Sequence, residues 1–215
     1  MSWIKTIPYN ESTGHLKSAY RRVAGAGGQI DNIMKLHSLR PHTLEGHMRL
    51  YKNVLHHSGN TLPKWWLETI GTFVSLLNRC EYCVEHHYKG LERLLNDEKR
   101  ARVIRNELEK LASGSATTDT VMDWTAPDTT FSPVEMQTLR TVYILTRAPH
   151  QMTEDHVLAL KSEGLTDGEI LEINQVAAYF AYANRTVLGL GCTLDGDTLG
   201  LSPGDSSDPD NWEHG

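Results

Sequence analysis

At 215 residues the chain is long enough for one sizeable core, or for two small units sharing one. Its 21 lysines and arginines stand against 27 aspartates and glutamates, and no block of positive charge is present to track a phosphate backbone, which argues against nucleic acid as a partner. No run approaches the roughly 18 to 20 consecutive apolar residues of a membrane span, and residues 1–10 lack a charged, apolar, small-residue leader pattern, so a soluble cytoplasmic protein is expected.

The pattern predicts an all-α chain of two helical halves packed in one unit over residues 1–195, followed by an irregular tail, 196–215. N-terminal helices are expected over 15–60. Within them, Leu44, Met48, Tyr51 and Leu55 recur at spacings of three and four and mark one apolar face of a helix from Thr43 to His57. A second group covers 63–111. Pro63 suits the first turn of a helix, where its missing N–H costs nothing, and Leu67, Ile70, Phe73, Val74 and Leu77 form that helix's inward face, with Glu68 also on it. Asn78 followed three residues later by Glu81 resembles a capping box, so a new helix is expected there with Cys80 in its first turn. Asn96 and Asp97 interrupt the helical character that runs on to Leu111. Residues 112–131, rich in Ser, Thr, Asp and Pro, read as a loop between the halves. The C-terminal helices span 132–190. Ser132, Pro133 and Glu135 open one to about Arg147, Thr153 starts a short one, and Thr166 with Glu169 caps a long one. Its buried stripe is Ile170, Ile173, Val176, Ala177, Phe180 and Val187. The Gly-, Asp-, Ser- and Pro-rich tail is expected to be irregular or docked on a neighbour.

Three cysteines form no even disulfide framework, and two of them stand three residues apart. In Asn78-Arg79-Cys80-Glu81-Tyr82-Cys83-Val84-Glu85-His86-His87, helical spacing puts Cys80, Cys83 and His87 on one face. A thiol in the first turn of a helix sees the positive end of the macrodipole, which favours the thiolate. Arg79 pushes the same way, while Glu81 and Glu85 oppose it. Two thiols at this spacing can close a disulfide, so that one reduces an oxidant and the other traps the sulfenic acid. His87 is placed to take the thiol proton, directly or through a water, and a carboxylate orienting it would complete a relay.

Glu68, eleven intervening residues, then Cys80-x-x-Cys83-x-x-x-His87 resembles the active-site signature of the carboxymuconolactone decarboxylase and alkylhydroperoxidase D superfamily. The run from Val74 to His87 resembles its peroxidase-related branch. So do Leu145-Thr146, Gly164-Leu165-Thr166-Asp167 and Asn184-Arg185, in the expected order. The resemblance covers residues 15–195. It implies an all-α fold, a homo-oligomer (dimer, trimer or hexamer), no haem, flavin or metal, and reduction of hydrogen peroxide or organic hydroperoxides at the dithiol. It also implies roles: Cys83 attacks the peroxide, Cys80 resolves and exchanges with an external dithiol such as a lipoyl group or thioredoxin, and His87 with Glu68 relays protons. Tyr82 and His86 are auxiliary candidates. Tyr82 stands where the family's best-studied form has a histidine, so the path from Glu68 is expected to be shorter, water-mediated or weaker.

Rival readings remain. Cys80 and Cys83 could be buried apolar residues, or zinc ligands with His86 or His87, although a closed site needs a fourth ligand and no second pair follows. A redox-sensing or partner-binding protein, and a lactone decarboxylase, are the alternatives to a peroxidase. His86 reads as a surface or interface residue, and His42, His47, His56 and His57 as scattered helix histidines. Trp65 and Trp66 read as packing groups rather than a substrate mouth. Cys192 reads as a buried small hydrophobe, and Asn184-Arg185 as an anchor for a carboxylate.

Overall fold

The computed structural model describes residues 2–25, 28–114 and 130–213. The all-α reading holds. In chain order the helices are α1 (Gly14–Val23), α2 (Asn32–Leu36), α3 (Pro41–Leu55), α4 (Lys64–Leu77), α5 (Glu81–Leu95), α6 (Glu98–Ser113), α7 (Pro133–Arg147), α8 (Glu154–Ser162) and α9 (Asp167–Leu190). An isolated bridge between His57 and Ser206 is the one β pairing among the described residues.

α4 is the centre of the molecule. It pairs with α5 as an antiparallel hairpin and also meets α6, α7 and α9, and a helix surrounded in this way must be apolar on nearly every side. Leu67, Ile70, Phe73 and Val74 are fully buried, each contributing roughly 1.5–3 kcal/mol by leaving water. The hydroxyls this helix buries are satisfied within it: Thr69 donates to the Trp65 carbonyl, Thr72 to that of Glu68 and Ser75 to that of Gly71, all at 2.8 Å. At Gly71 a Cβ would lie 2.1 Å from the Phe180 ring, so glycine lets α9 cross α4 at close range.

Local capping signals place several boundaries. Ser132 with Glu135 and Thr166 with Glu169 form complete capping boxes. Asn96 adopts a left-handed conformation and Asp97 caps α6 by accepting from the Arg100 N–H. Other boundaries differ from expectation. Pro63 is the N-cap of α4 rather than a residue of its first turn. α6 runs through Ser113, so the expected loop begins later than 112, and residues 115–129 of that stretch lie outside the described residues. Trp66 packs on Phe131 and Trp65 lies under the Arg100 guanidinium. The tail is irregular but docks on its own chain: Trp212 is buried beneath Arg22, and Asp210 accepts from Arg22 and Arg49.

Candidate functional site

The dithiol sits where α4 hands over to α5, and the turn between them differs from the expected capping box. Arg79 is left-handed (φ 56°), its N–H donates to the Leu76 carbonyl, and the Cys80 N–H reaches back to Ser75 at 2.9 Å. This is a Schellman ending to α4 with arginine in the position that usually takes glycine. Cys80 is therefore at once the residue leaving α4 and the N-cap of α5, and no side chain caps that end. Cys83, not Cys80, occupies the first turn. Asn78 instead donates at 2.9 Å to Asn184 of α9, whose amide donates at 3.1 Å to Ser75. Asn184 is thus an anchor for the dithiol turn rather than for a carboxylate, and Arg185 donates to the Ala181 carbonyl on an exposed face.

The two sulfurs are 3.1 Å apart, in hydrogen-bond contact, and both residues are buried. They titrate as one unit. A thiolate on Cys80 is favoured by the hydrogen bond from Cys83, which holds the Cys80 thiol below its ordinary range; the same contact and burial push Cys83 well up, against a lowering hydrogen bond from Asn184. Glu85, expected to oppose ionisation, is taken by Arg105 of α6 in a two-pronged pair at 2.5 and 3.1 Å. Arg79 is exposed.

Cys83 lines a cavity of about 40 Å³, and so do Glu68, Tyr82, His86 and His87. Glu68 is buried on α4 with room left for its carboxylate by Gly90, where a Cβ would sit 3.4 Å from Oε1. Its Oε2 is 2.7 Å from Nδ1 of His87. The structure thus brings Glu68, Cys83 and His87 to one cavity, with Cys80 behind Cys83.

Further residues surround the site, and of these His56, Tyr179 and Asp197 were not site candidates in the sequence. His56, at the C-terminal cap of α3, points Nε2 at Oε1 of Glu68 from 3.6 Å, so the carboxylate stands between two imidazoles. Tyr51 meets His56 and His87 edge-on and stacks with Tyr179, whose hydroxyl is 3.4 Å from Nε2 of His47. Tyr82 is turned away from Glu68: its hydroxyl donates to Asp197 of the tail at 2.6 Å and accepts from the Ile33 N–H. His86, read as a surface or interface residue, is buried within its own chain against Tyr82, with Nε2 3.5 Å from Asp197. Cys192 is half-buried, and burial with nearby Asp197 pushes its thiol up to about 12. Among the described residues no group of three or more His, Cys, Asp and Glu side chains is arranged to hold a metal ion.

The buried histidines set a pH dependence. Burial pushes His56 down to about 4, with Glu68 pulling the other way, and His47 down to about 3, helped by His37 and His87. An unfolded histidine titrates near 6.5. Below that pH the unfolded chain takes up protons that the fold refuses, so stability fully present above about 6.5 is lost as pH falls toward 4. A denaturant midpoint that is flat from about pH 8 to 7 and falls between about 6.5 and 4 is expected, with His56→Gln removing part of the slope. A flat profile down to about pH 4.5 would mean that both imidazoles charge inside the fold.

No protein-family model matches the chain, and no curated protein sequence matches it. Solved structures do. The alkylhydroperoxidase AhpD core protein of Ralstonia eutropha JMP134, described as an uncharacterized peroxidase-related protein, aligns over 89% of this chain and 91% of its own with TM-score 0.71 and 19% identity. An uncharacterized peroxidase-related protein from Silicibacter sp. TM1040 aligns over the same shares with TM-score 0.68 and 19% identity. The debrominase Bmp8, in complex with 2,3,4-tribromopyrrole, aligns over 91% of this chain and 95% of its own with TM-score 0.61 and 15% identity. Among the described residues no helix is long and apolar enough to cross a membrane. With its helices superposing on these structures along most of its length, the chain has the AhpD-like fold.

Proposed function

We propose that the protein is a thiol peroxidase, reducing hydrogen peroxide or a small organic hydroperoxide at Cys83. The observation that carries this reading is the shared cavity, in which a thiol backed by a second thiol faces the same small space as a histidine held by a buried carboxylate. The Cys83 thiolate attacks the nearer peroxide oxygen, the O–O bond breaks, and the departing alkoxide or hydroxide takes a proton delivered through His87. The sulfur is left as a sulfenic acid. Cys80 then attacks it, releasing water and closing the Cys80–Cys83 disulfide. Two thiols and one hydroperoxide thereby give one disulfide, one alcohol and one water. An external dithiol, such as a lipoyl group or thioredoxin, returns the pair to thiols by exchange and is itself oxidised.

The ionisation favours the thiolate on Cys80 while Cys83 lines the cavity, so this division of labour requires one proton to cross the 3.1 Å contact. Glu68 holds His87 with Nδ1 toward the carboxylate, which leaves Nε2 for the reacting groups. Two of the solved structures similar to this chain are described as peroxidase-related. The debrominase shows that the fold also carries chemistry on a halogenated pyrrole. A cavity of about 40 Å³ favours the smaller substrate. Exposed Leu171, Tyr182 and Leu188 along α9 offer apolar surface for the expected homo-oligomer.

The test is a thiol titration before and after one equivalent of hydroperoxide, with mass spectrometry locating the oxidised sulfurs. Loss of two thiols as a Cys80–Cys83 disulfide, repeated over many turnovers when dithiol is supplied, is the expected result. Cys83→Ser is expected to abolish it. Turnover unchanged in that variant sinks the proposal, and a single stoichiometric oxidation without turnover would instead fit a redox sensor.

A further inference from the structure

The segment after α9 is irregular, yet it supplies three consecutive residues of the cavity wall, Gly200, Leu201 and Ser202. It is held there by a latch. The Asp197 carboxylate has no exposed side-chain surface; it accepts from the Asn32 backbone N–H at 2.9 and 3.0 Å and from the Tyr82 hydroxyl at 2.6 Å. A carboxylate buried in this way is stable only while these donors are in place. Further along, Gly200 adopts φ +78°, and a Cβ there would meet the Lys89 backbone at 3.0 Å, so the segment lies flat against α5. Ser202 accepts from Arg93 of α5, and the buried Lys52 of α3 donates to the carbonyls of His56 and Gly204.

The other walls of the cavity differ in kind. Met34, Tyr51, Tyr179 and Ala183 come from α2, α3 and α9 and are part of the core; moving them means unpacking helices. The strap is held by a few polar contacts, the sort of element that opens locally without global unfolding. Cys83, 2% exposed, lines the same cavity as Gly200, Leu201 and Ser202.

We propose that residues 195–202, latched by Asp197, act as a size filter over Cys83, with Asp197 and Leu201 as its specificity-determining residues. While latched, the filter admits molecules of peroxide size and slows larger ones; the external dithiol reaches the disulfide when the strap opens locally. Its bearing on substrate choice rests on the peroxidase reading, but the filter itself is a property of the wall and is measured without turnover.

The experiment, done in a Cys80→Ser background so that no second thiol displaces the mixed disulfide, compares the rates at which Cys83 reacts with methyl methanethiosulfonate, which is small, and with dithiodipyridine, a bulky neutral aromatic disulfide. Each rate is divided by that of an unstructured cysteine peptide, and mass spectrometry locates the modified residue. In the Cys80→Ser parent the bulky reagent is expected to be the more suppressed. Asp197→Ala removes the acceptor of charge-assisted hydrogen bonds, and the bulky-to-small ratio is expected to rise by about tenfold or more. Asp197→Asn, which keeps one acceptor oxygen, is expected to fall between. Leu201→Ala thins the wall with the latch intact and is expected to move the ratio the same way; it decides the matter should Asp197→Ala fail to fold. Ratios within about twofold of the Cys80→Ser parent, well short of the gain expected from releasing the latch, in Leu201→Ala and in any folded Asp197 variant overturn the filter. The size ratio in the Cys80→Ser parent, together with a wild-type protein that forms no disulfide with hydroperoxide, would sink the peroxidase reading and leave the filter standing.

Discussion

Replacing Glu68 with glutamine is expected to slow peroxide-driven oxidation of Cys83 by about 10²-fold or more, with the helical fold kept. The two side chains have nearly the same shape, so the gap left by Gly90 stays filled and the packing of α4 on α5 is undisturbed. What changes is the partner of His87. The carboxylate oxygen 2.7 Å from Nδ1 fixes the tautomer and stabilises the imidazolium formed when the ring takes a proton. An amide can hydrogen-bond to the ring but cannot balance its charge. Stopped-flow measurement of thiol loss after mixing with hydroperoxide checks the effect, and circular dichroism checks the fold. A rate within about threefold of wild type, far below the usual size of a general acid–base contribution, would show that His87 works without Glu68.

Replacing Gly71 with alanine is expected to destabilise the protein by about 1–3 kcal/mol, the usual cost of overpacking a core, and by more if α9 cannot move. The added methyl would lie 2.1 and 2.2 Å from two carbons of the Phe180 ring, so either the ring or the helix must yield. The same ring packs edge-on against His87 with centroids 4.4 Å apart. The strain therefore reaches the site, and a slower reaction at Cys83 is expected beside the lower denaturant midpoint. Gly71→Ala combined with Phe180→Leu should recover part of the stability. An unchanged midpoint in the single variant would show that the Phe180 ring turns aside at no cost to the packing of α9 on α4.

What the sequence made legible follows from how local each signal is. The capping boxes at Ser132 and Thr166 and the break at Asn96 and Asp97 depend on three or four consecutive residues, and all are present. Asn78 and Glu81 offered the same spacing and misled, because α4 ends in a Schellman turn whose usual marker, glycine, is replaced by Arg79. Glu68 and His87 are 19 positions apart and meet only because α4 and α5 fold back on each other. Their partnership was readable through resemblance and not through periodicity. His56 had no such help: it lies past the apolar face of α3, and only the arrival of α4 makes it a neighbour of Glu68. Asp197 and Leu201 were hidden for the opposite reason, since a stretch rich in Gly, Asp and Ser looks the same whether it is loose or strapped across a cavity.

The strap also fixes an order of events during synthesis. Tyr82 and Asp197 are separated by 115 positions, and a ribosome adding about 5–20 residues per second needs on the order of ten seconds to cover that distance. For that interval both thiols have been made and their outer wall has not. The nascent chain thus carries an unguarded dithiol, open to bulky oxidants and foreign disulfides that the filter would slow, and it becomes selective only when residues 195–202 are laid down.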